Sequence, residues 1–148
     1  MLIKASKYAI RAVLFLAQNS SINKKYSSVQ IAESLEIPIH FIAKLLQPLA
    51  KKNIISSSKG PTGGFYFTDI NGKKNVCDII ELIEGKSVFT NCFMGLPKCS
   101  DDNPCPIHHI VAPFKKELLD SFKHKTLIQF SKEIEDNDRF LSLLNVDS

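Results

Sequence analysis

The sequence predicts a mainly α-helical chain carrying one small β-hairpin, and three observations predict it. Apolar residues recur at helical spacing through three successive N-terminal segments. A glycine-rich stretch, KGPTGG at residues 59 to 64, separates two β-prone runs. Further helical stripes lie on either side of a polar stretch that holds three of the four cysteines.

The first helix is expected from a Ser6 cap to about Asn19, apolar on nearly every side and therefore largely buried. After the polar link SSINKKY, Ser27 with Gln30 matches a capping box, and Ile31, Ala32 and Leu35 give the second helix one apolar stripe. EIPIH is a tight break, with Pro38 suited to the first turn of a third helix. That helix repeats apolar residues at Phe41/Ile42, Leu45/Leu46 and Leu49. Its opposite face carries His40, Ala43, Lys44, Gln47 and Lys51. Pro48 lies inside it, where proline typically costs about 3 kcal/mol, so a kink or tightened turn is expected there. IISSS and FYFT read as strands joined by KGPTGG.

NGKKN reads as a turn. Val76 to Glu84 makes a short helix with Val76, Ile79, Ile80 and Ile83 inward and Cys77 as a small buried thiol. Past the cysteine stretch, Ile110, Val111, Phe114, Leu118 and Phe122 stripe a longer helix, with Lys115, Lys116 and Glu117 on its outer face and Pro113 kinking its first turns. Packing against its copy in a second chain is the economical way to cover such a helix. The tail from Thr126 adds a short helix and then frays.

Helix, helix, helix, hairpin is the order of a winged helix-turn-helix domain. Residues 1 to 84 form that domain, and residues 85 to 148 hold the cysteine loop (92 to 108), the dimerisation helix and the tail. Charge follows the same division. Residues 1 to 60 carry nine Lys or Arg against Glu33 and Glu36, a net +7, whereas residues 61 to 148 carry ten against thirteen, a net −3. A basic half of this kind meets a polyanion. The third helix is expected in the major groove, with the wing on phosphates or in the minor groove. The candidate DNA contacts are Lys7, Ser28, His40, Phe41, Lys44 and Gln47, with Lys59, Gly60, Pro61 and Thr62 from the wing. The wing glycines let backbone approach the duplex, and Lys59 can neutralise a phosphate.

No apolar run reaches the ~18 residues of a membrane span. The N-terminus lacks the separate regions of a signal peptide, which points to the cytoplasm. Thiols stay reduced there and more often bind metal or react than form disulfides. Cys92 and Cys99 have six residues between them, Cys99 and Cys105 five, and Cys105 is followed by two before His108. Zinc ligands come in tighter pairs, a spacing met only at Cys105/His108. The wide gaps favour a larger iron–sulfur cluster, while zinc and metal-free thiol chemistry stay open. No phosphate loop and no nucleophile with a credible base is present, so an enzyme is not expected.

KYAIRAVLFLA, the helix pair through LLQPLAKKNII, the wing KGPTGGFYF, CDIIELIEG and the three cysteines before PCPIHH together resemble the iron–sulfur winged-helix regulators that include IscR and NsrR. The resemblance implies a homodimer crossing its long helices on a palindromic DNA operator, with a [2Fe–2S] or [4Fe–4S] cluster beside the crossing. It matches Cys92, Cys99 and Cys105 to the three cysteine ligands and His108 to the histidine of IscR-like members, with His109 as the neighbouring rival. NsrR-like members use a carboxylate near the partner's N-terminus. Lys7 stands in that region here, with no acid beside it. Lys59 replaces a frequent wing arginine and is a poorer fork for base edges. Ala43 replaces an acidic residue, so base preference does not carry over. The rivals are a metal-free thiol-switch or partner-controlled regulator of the same fold, and an iron–sulfur carrier or electron-transfer protein with an incidental basic half. No small-molecule substrate is expected.

Overall fold

The structure is a computed structural model and describes residues 2 to 136. Its elements follow the chain as α1 (Lys4–Asn19), α2 (Ser28–Leu35), α3 (Ile39–Lys51), β1 (Ser56–Ser58), β2 (Gly64–Tyr66), α4 (Asp69–Gly72), α5 (Val76–Glu84), a 3₁₀ turn (Lys86–Phe89), α6 (His108–His124) and α7 (Leu127–Asp136). The architecture is mainly helical, with one antiparallel two-stranded hairpin in the register Ser56↔Tyr66, Ser57↔Phe65, Ser58↔Gly64.

The core gathers around α1. Ala9, Ala12, Val13 and Leu16 meet Ile31 and Leu35 of α2, Ile42, Leu46 and Leu49 of α3, and Ile79 and Ile80 of α5. Ser6 does not cap α1, as its sequence context suggests. The helix starts one turn earlier, after Ile3, and Ser6 lies fully buried within it, its hydroxyl donating to the Glu84 carboxylate at the end of α5. A buried hydroxyl needs such a partner, and a residue 78 positions away supplies it.

The Ser27 capping box forms as expected. Gln30 N donates to Ser27 Oγ (3.2 Å), and Ser27 N donates to Gln30 Oε1 (2.8 Å). Helix α2 ends on Glu36 in the left-handed conformation (φ 52°), and the Arg11 guanidinium of α1 donates to the Leu35 carbonyl at 2.8 Å. This bond satisfies an open helix-end acceptor and fixes the turn between α2 and α3 against α1. Pro38 is the residue before α3 rather than in its first turn, and its carbonyl accepts from Phe41 N (3.0 Å). Pro48 does not end α3, which continues to Lys51. It lies in the last turn, on a side where the Lys44 carbonyl it cannot serve belongs to an exposed residue.

NGKKN is not simply a turn: its first residues close α4, whose capping box pairs Thr68 with Asn71. Asn71 is buried and ties the base of the hairpin together. Its amide donates to Asn53 O (2.8 Å), and its oxygen accepts from Ser56 Oγ (2.9 Å) and Thr68 N (2.9 Å). The short helix expected in the tail is α7. Leu127 is fully buried and Ile134 nearly so, both in the core that α1 organises. Residues beyond 136, where fraying was expected, lie outside the described region.

Candidate functional site

Two surfaces carry the chemistry. On the first, His40, Lys44 and Gln47 project from the exposed face of α3, and Lys59, Gly60, Pro61 and Thr62 form the exposed tip of the hairpin. Lys7 is exposed on α1, and Ser28 is half-buried at the start of α2. Phe41 is turned partly inward, its ring edge-on to Tyr8 at 5.7 Å and 4.5 Å from the ring of His40. Its ring packs against the core rather than standing free on the exposed face.

The hairpin is fastened along the outer edge of β2. Tyr26 pairs with Phe65 through bonds of 2.9 and 2.8 Å, adding a one-residue third strand, and Ser20 Oγ accepts from Phe67 N at 2.9 Å. The tip glycines answer first to the hairpin itself. A Cβ on Gly63 would lie 2.3 Å from the Ser58 carbonyl oxygen, and Gly60 has φ 99°. Lys24 and Lys25 belong to the basic half but are not among the DNA contacts that pattern reading names. Their ammonium groups lie over Tyr26 (5.8 Å) and Tyr66 (5.3 Å), holding two more cations alongside the wing. The signal available was two lysines before an aromatic residue.

The second surface is the cysteine loop. All four thiols are free. Cys92 is buried, and Cys99, Cys105 and His108 are half-buried. Cys99 Sγ lies 3.4 Å from His108 Nδ1, and His108 Nε2 lies 2.7 Å from Asp101 Oδ1. With Nε2–H donating to the carboxylate, Nδ1 keeps its lone pair directed at the Cys99 side, the tautomer a metal-binding imidazole needs. The Cys92 thiol is held below its ordinary range. The Leu96 amide is the first cause, working against burial, followed by the Met94 amide, the Cys105 thiol and the Gly95 amide. Hydrogen bonds of this kind favour the thiolate, the form that ligates iron.

Of the four predicted donors, Cys99 and His108 thus stand 3.4 Å apart, and the Cys105 thiol is among the groups that act on Cys92. Among the described residues, no three His, Cys, Asp or Glu side chains gather closely enough to enclose one metal ion. Three soft thiolates and a borderline imidazole fit an iron–sulfur cluster as a donor set. His109, the rival, is exposed and has no contact with the thiols among those the structure shows. Cys77 stays apart: it is buried on α5, its thiol faces Leu119 O at 3.7 Å, and burial, helped by Glu81, pushes it up to about 11.

Helix α6 starts at His108, inside the donor set. Its apolar stripe is divided. Phe122 packs on the core, but Ile110 and Phe114 are 65% and 52% exposed, and Phe93, Met94 and Leu96 of the loop are exposed as well. Pro113 sits in the first two turns of the helix without ending it.

A three-helix unit with a fastened hairpin and a basic exposed third helix is a winged-helix DNA-binding protein. The chain belongs to the Rrf2 family, iron-dependent transcriptional regulators, whose profile it matches over residues 2–133. It is 36% identical over 123 residues to a candidate HTH-type transcriptional regulator of Aquifex aeolicus (strain VF5), covering 82% of this chain and 84% of that one. It is 26% identical over 121 residues to the HTH-type transcriptional regulator IscR of Klebsiella pneumoniae, covering 82% and 73%. In fold it is similar to CymR, the global cysteine regulator of B. subtilis, with a TM-score of 0.72 and 16% identity over 90% of this chain and 97% of that one. The chain is a DNA-binding transcriptional regulator and not an enzyme. No described helix is long and apolar enough to cross a membrane.

Proposed function

We propose that the chain acts in the cytoplasm as a homodimer on a palindromic operator, and that Cys92, Cys99, Cys105 and His108 hold a [2Fe–2S] or [4Fe–4S] cluster whose state sets operator affinity. When bound, the cluster supplies an iron centre that oxidants or nitric oxide can alter. One observation carries the reading: His108, paired with Cys99 at 3.4 Å, is also the first residue of α6. A donor at a helix start makes the direction of that helix depend on what the donor holds.

The chain's own residues do the rest. Residues 1 to 84 serve as the reading head, with Lys44, Gln47, His40 and Ser28 toward one groove and Lys7, Phe41 and the wing residues Lys59 to Thr62 framing it. Residues 85 to 148 serve for sensing and pairing. The uncovered Ile110 and Phe114 meet the same face of a second copy. Two heads then read half-sites about one helical turn apart, so a small change in the crossing of paired α6 helices shifts affinity. An imidazole ligand must be neutral to bind, which makes the His108 arm the more easily released.

Anaerobic purification tests the ligand assignment. Red-brown protein containing iron and acid-labile sulfide is expected, with Mössbauer spectra distinguishing the two nuclearities. Colourless protein with one zinc per chain would overturn it. The Cys92–Cys105 neighbourhood favours a second reading, a metal-free thiol switch. In it a peroxide takes two electrons and two protons from the two thiols as the disulfide forms. That reading requires operator affinity to follow disulfide state in iron-free protein.

A further inference from the structure

Lys115 on α6 is buried, at 9% exposure, an unusual place for an ammonium group. It lines a cavity of about 330 Å³ whose other walls include Leu2, Phe89, Cys92 and Leu118. Withdrawing that charge from water is costly unless hydrogen bonds compensate, and a methionine would fill the same volume without the cost. The acceptor is the main-chain carbonyl of Asn91, which belongs to the peptide leading directly into Cys92. Asn91 is held from the other side as well, its amide donating to Ser87 O at 2.8 Å in the 3₁₀ turn. The chain is therefore gripped between that turn and α6 at the residue where the cysteine loop begins.

We propose that Lys115 is a positioning residue: its bond to the Asn91 carbonyl latches the start of the cysteine loop to α6, so that rearrangement at Cys92 is passed to the helix. The loop then acts on α6 from two points, His108 at its first residue and Lys115 two turns along, which turns a change in the loop into a tilt rather than a local fraying. The consequence for DNA rests on the cluster-gated reading above; the latch itself does not.

The test compares wild type with Lys115→Met, which keeps length and removes the donor, and Lys115→Arg, which keeps donor and charge. In full-length metal-free protein, hydrogen–deuterium exchange at residues 91 to 93 is expected to quicken about tenfold in Lys115→Met, with α1 and α3 unchanged and Lys115→Arg close to wild type. Unchanged exchange in Lys115→Met overturns the latch. In loaded protein, the ratio of operator affinities with and without cluster, about tenfold for a typical coupling, is expected to fall toward one in Lys115→Met and to persist in Lys115→Arg. A full ratio in Lys115→Met also overturns it. If wild type shows no ratio, the gating reading fails and exchange alone decides the latch. Should Lys115→Met not fold, Lys115→Gln, too short to reach Asn91, takes its place with the same readouts.

Discussion

The wing and the cysteine loop are both glycine- and proline-bearing turns, yet they are held by different means. The wing is fixed mainly by backbone: β1 and β2 pair directly and Tyr26 pairs with the outer edge of β2, while the Asn71 side chain closes the base. The loop is shaped largely by side chains, through Cys99 with His108, His108 with Asp101, Cys92 with Cys105, and Lys115 with Asn91. Backbone pairing gives a shape that chemistry in the medium does not change. Thiols, an imidazole and an amine give a shape that depends on what those groups bind. A reading surface calls for the first kind of construction and a sensing surface for the second.

The sharpest way to separate the two regions is Cys99→Ala. Complete loss of the visible absorption of anaerobically purified protein is expected, while thermal unfolding of the N-terminal helices is unaffected; retention of full colour would break the comparison. Next in size is Leu46→Ala, on the other side of the divide. Leu46 is fully buried, and its truncation is expected to cost about 2–5 kcal/mol in urea unfolding. Lys59→Glu follows, with operator affinity reduced by about tenfold and the salt dependence lowered by about one counterion, measured by gel shift at several ionic strengths. Cluster content is expected to stay the same. Ser27→Ala removes the cap of α2 and is expected to cost about 1 kcal/mol.

The smallest effect concerns Cys77, which joins α5 to α6. Its thiol is raised in the folded chain from an ordinary 9.0 to about 11. The unfolded thiol loses its proton first, so above pH 9.0 the folded state binds more protons and stability declines as pH rises toward about 11. Cys77→Val is expected to flatten that part of the stability–pH curve and to leave the cluster in place.

Much of the reading head was legible in the sequence because its signals are local. The Ser27–Gln30 box, the bounds of α5 and the hairpin loop depend on residues within a few positions of each other. What escaped depends on distance along the chain. Ser6 looks like a cap until Glu84, 78 residues on, is brought beside it. A one-residue bridge at Tyr26 leaves no alternating pattern to detect. Lys115 reads as an outer charge on a helix, and only the path of the chain at Asn91 turns it inward. The cysteine spacing suggested a cluster of donors but not that His108 would stand against Cys99, because that is decided by how the loop folds back between Cys92 and His108.

On the proposed reading, the donors at the foot of α6 govern how the two heads engage DNA. Fluorescence anisotropy of a labelled operator, titrated at fixed salt with loaded and with cluster-stripped protein, tests it most directly. Dissociation constants differing by about tenfold or more are predicted. Superimposable curves for the two forms would contradict it.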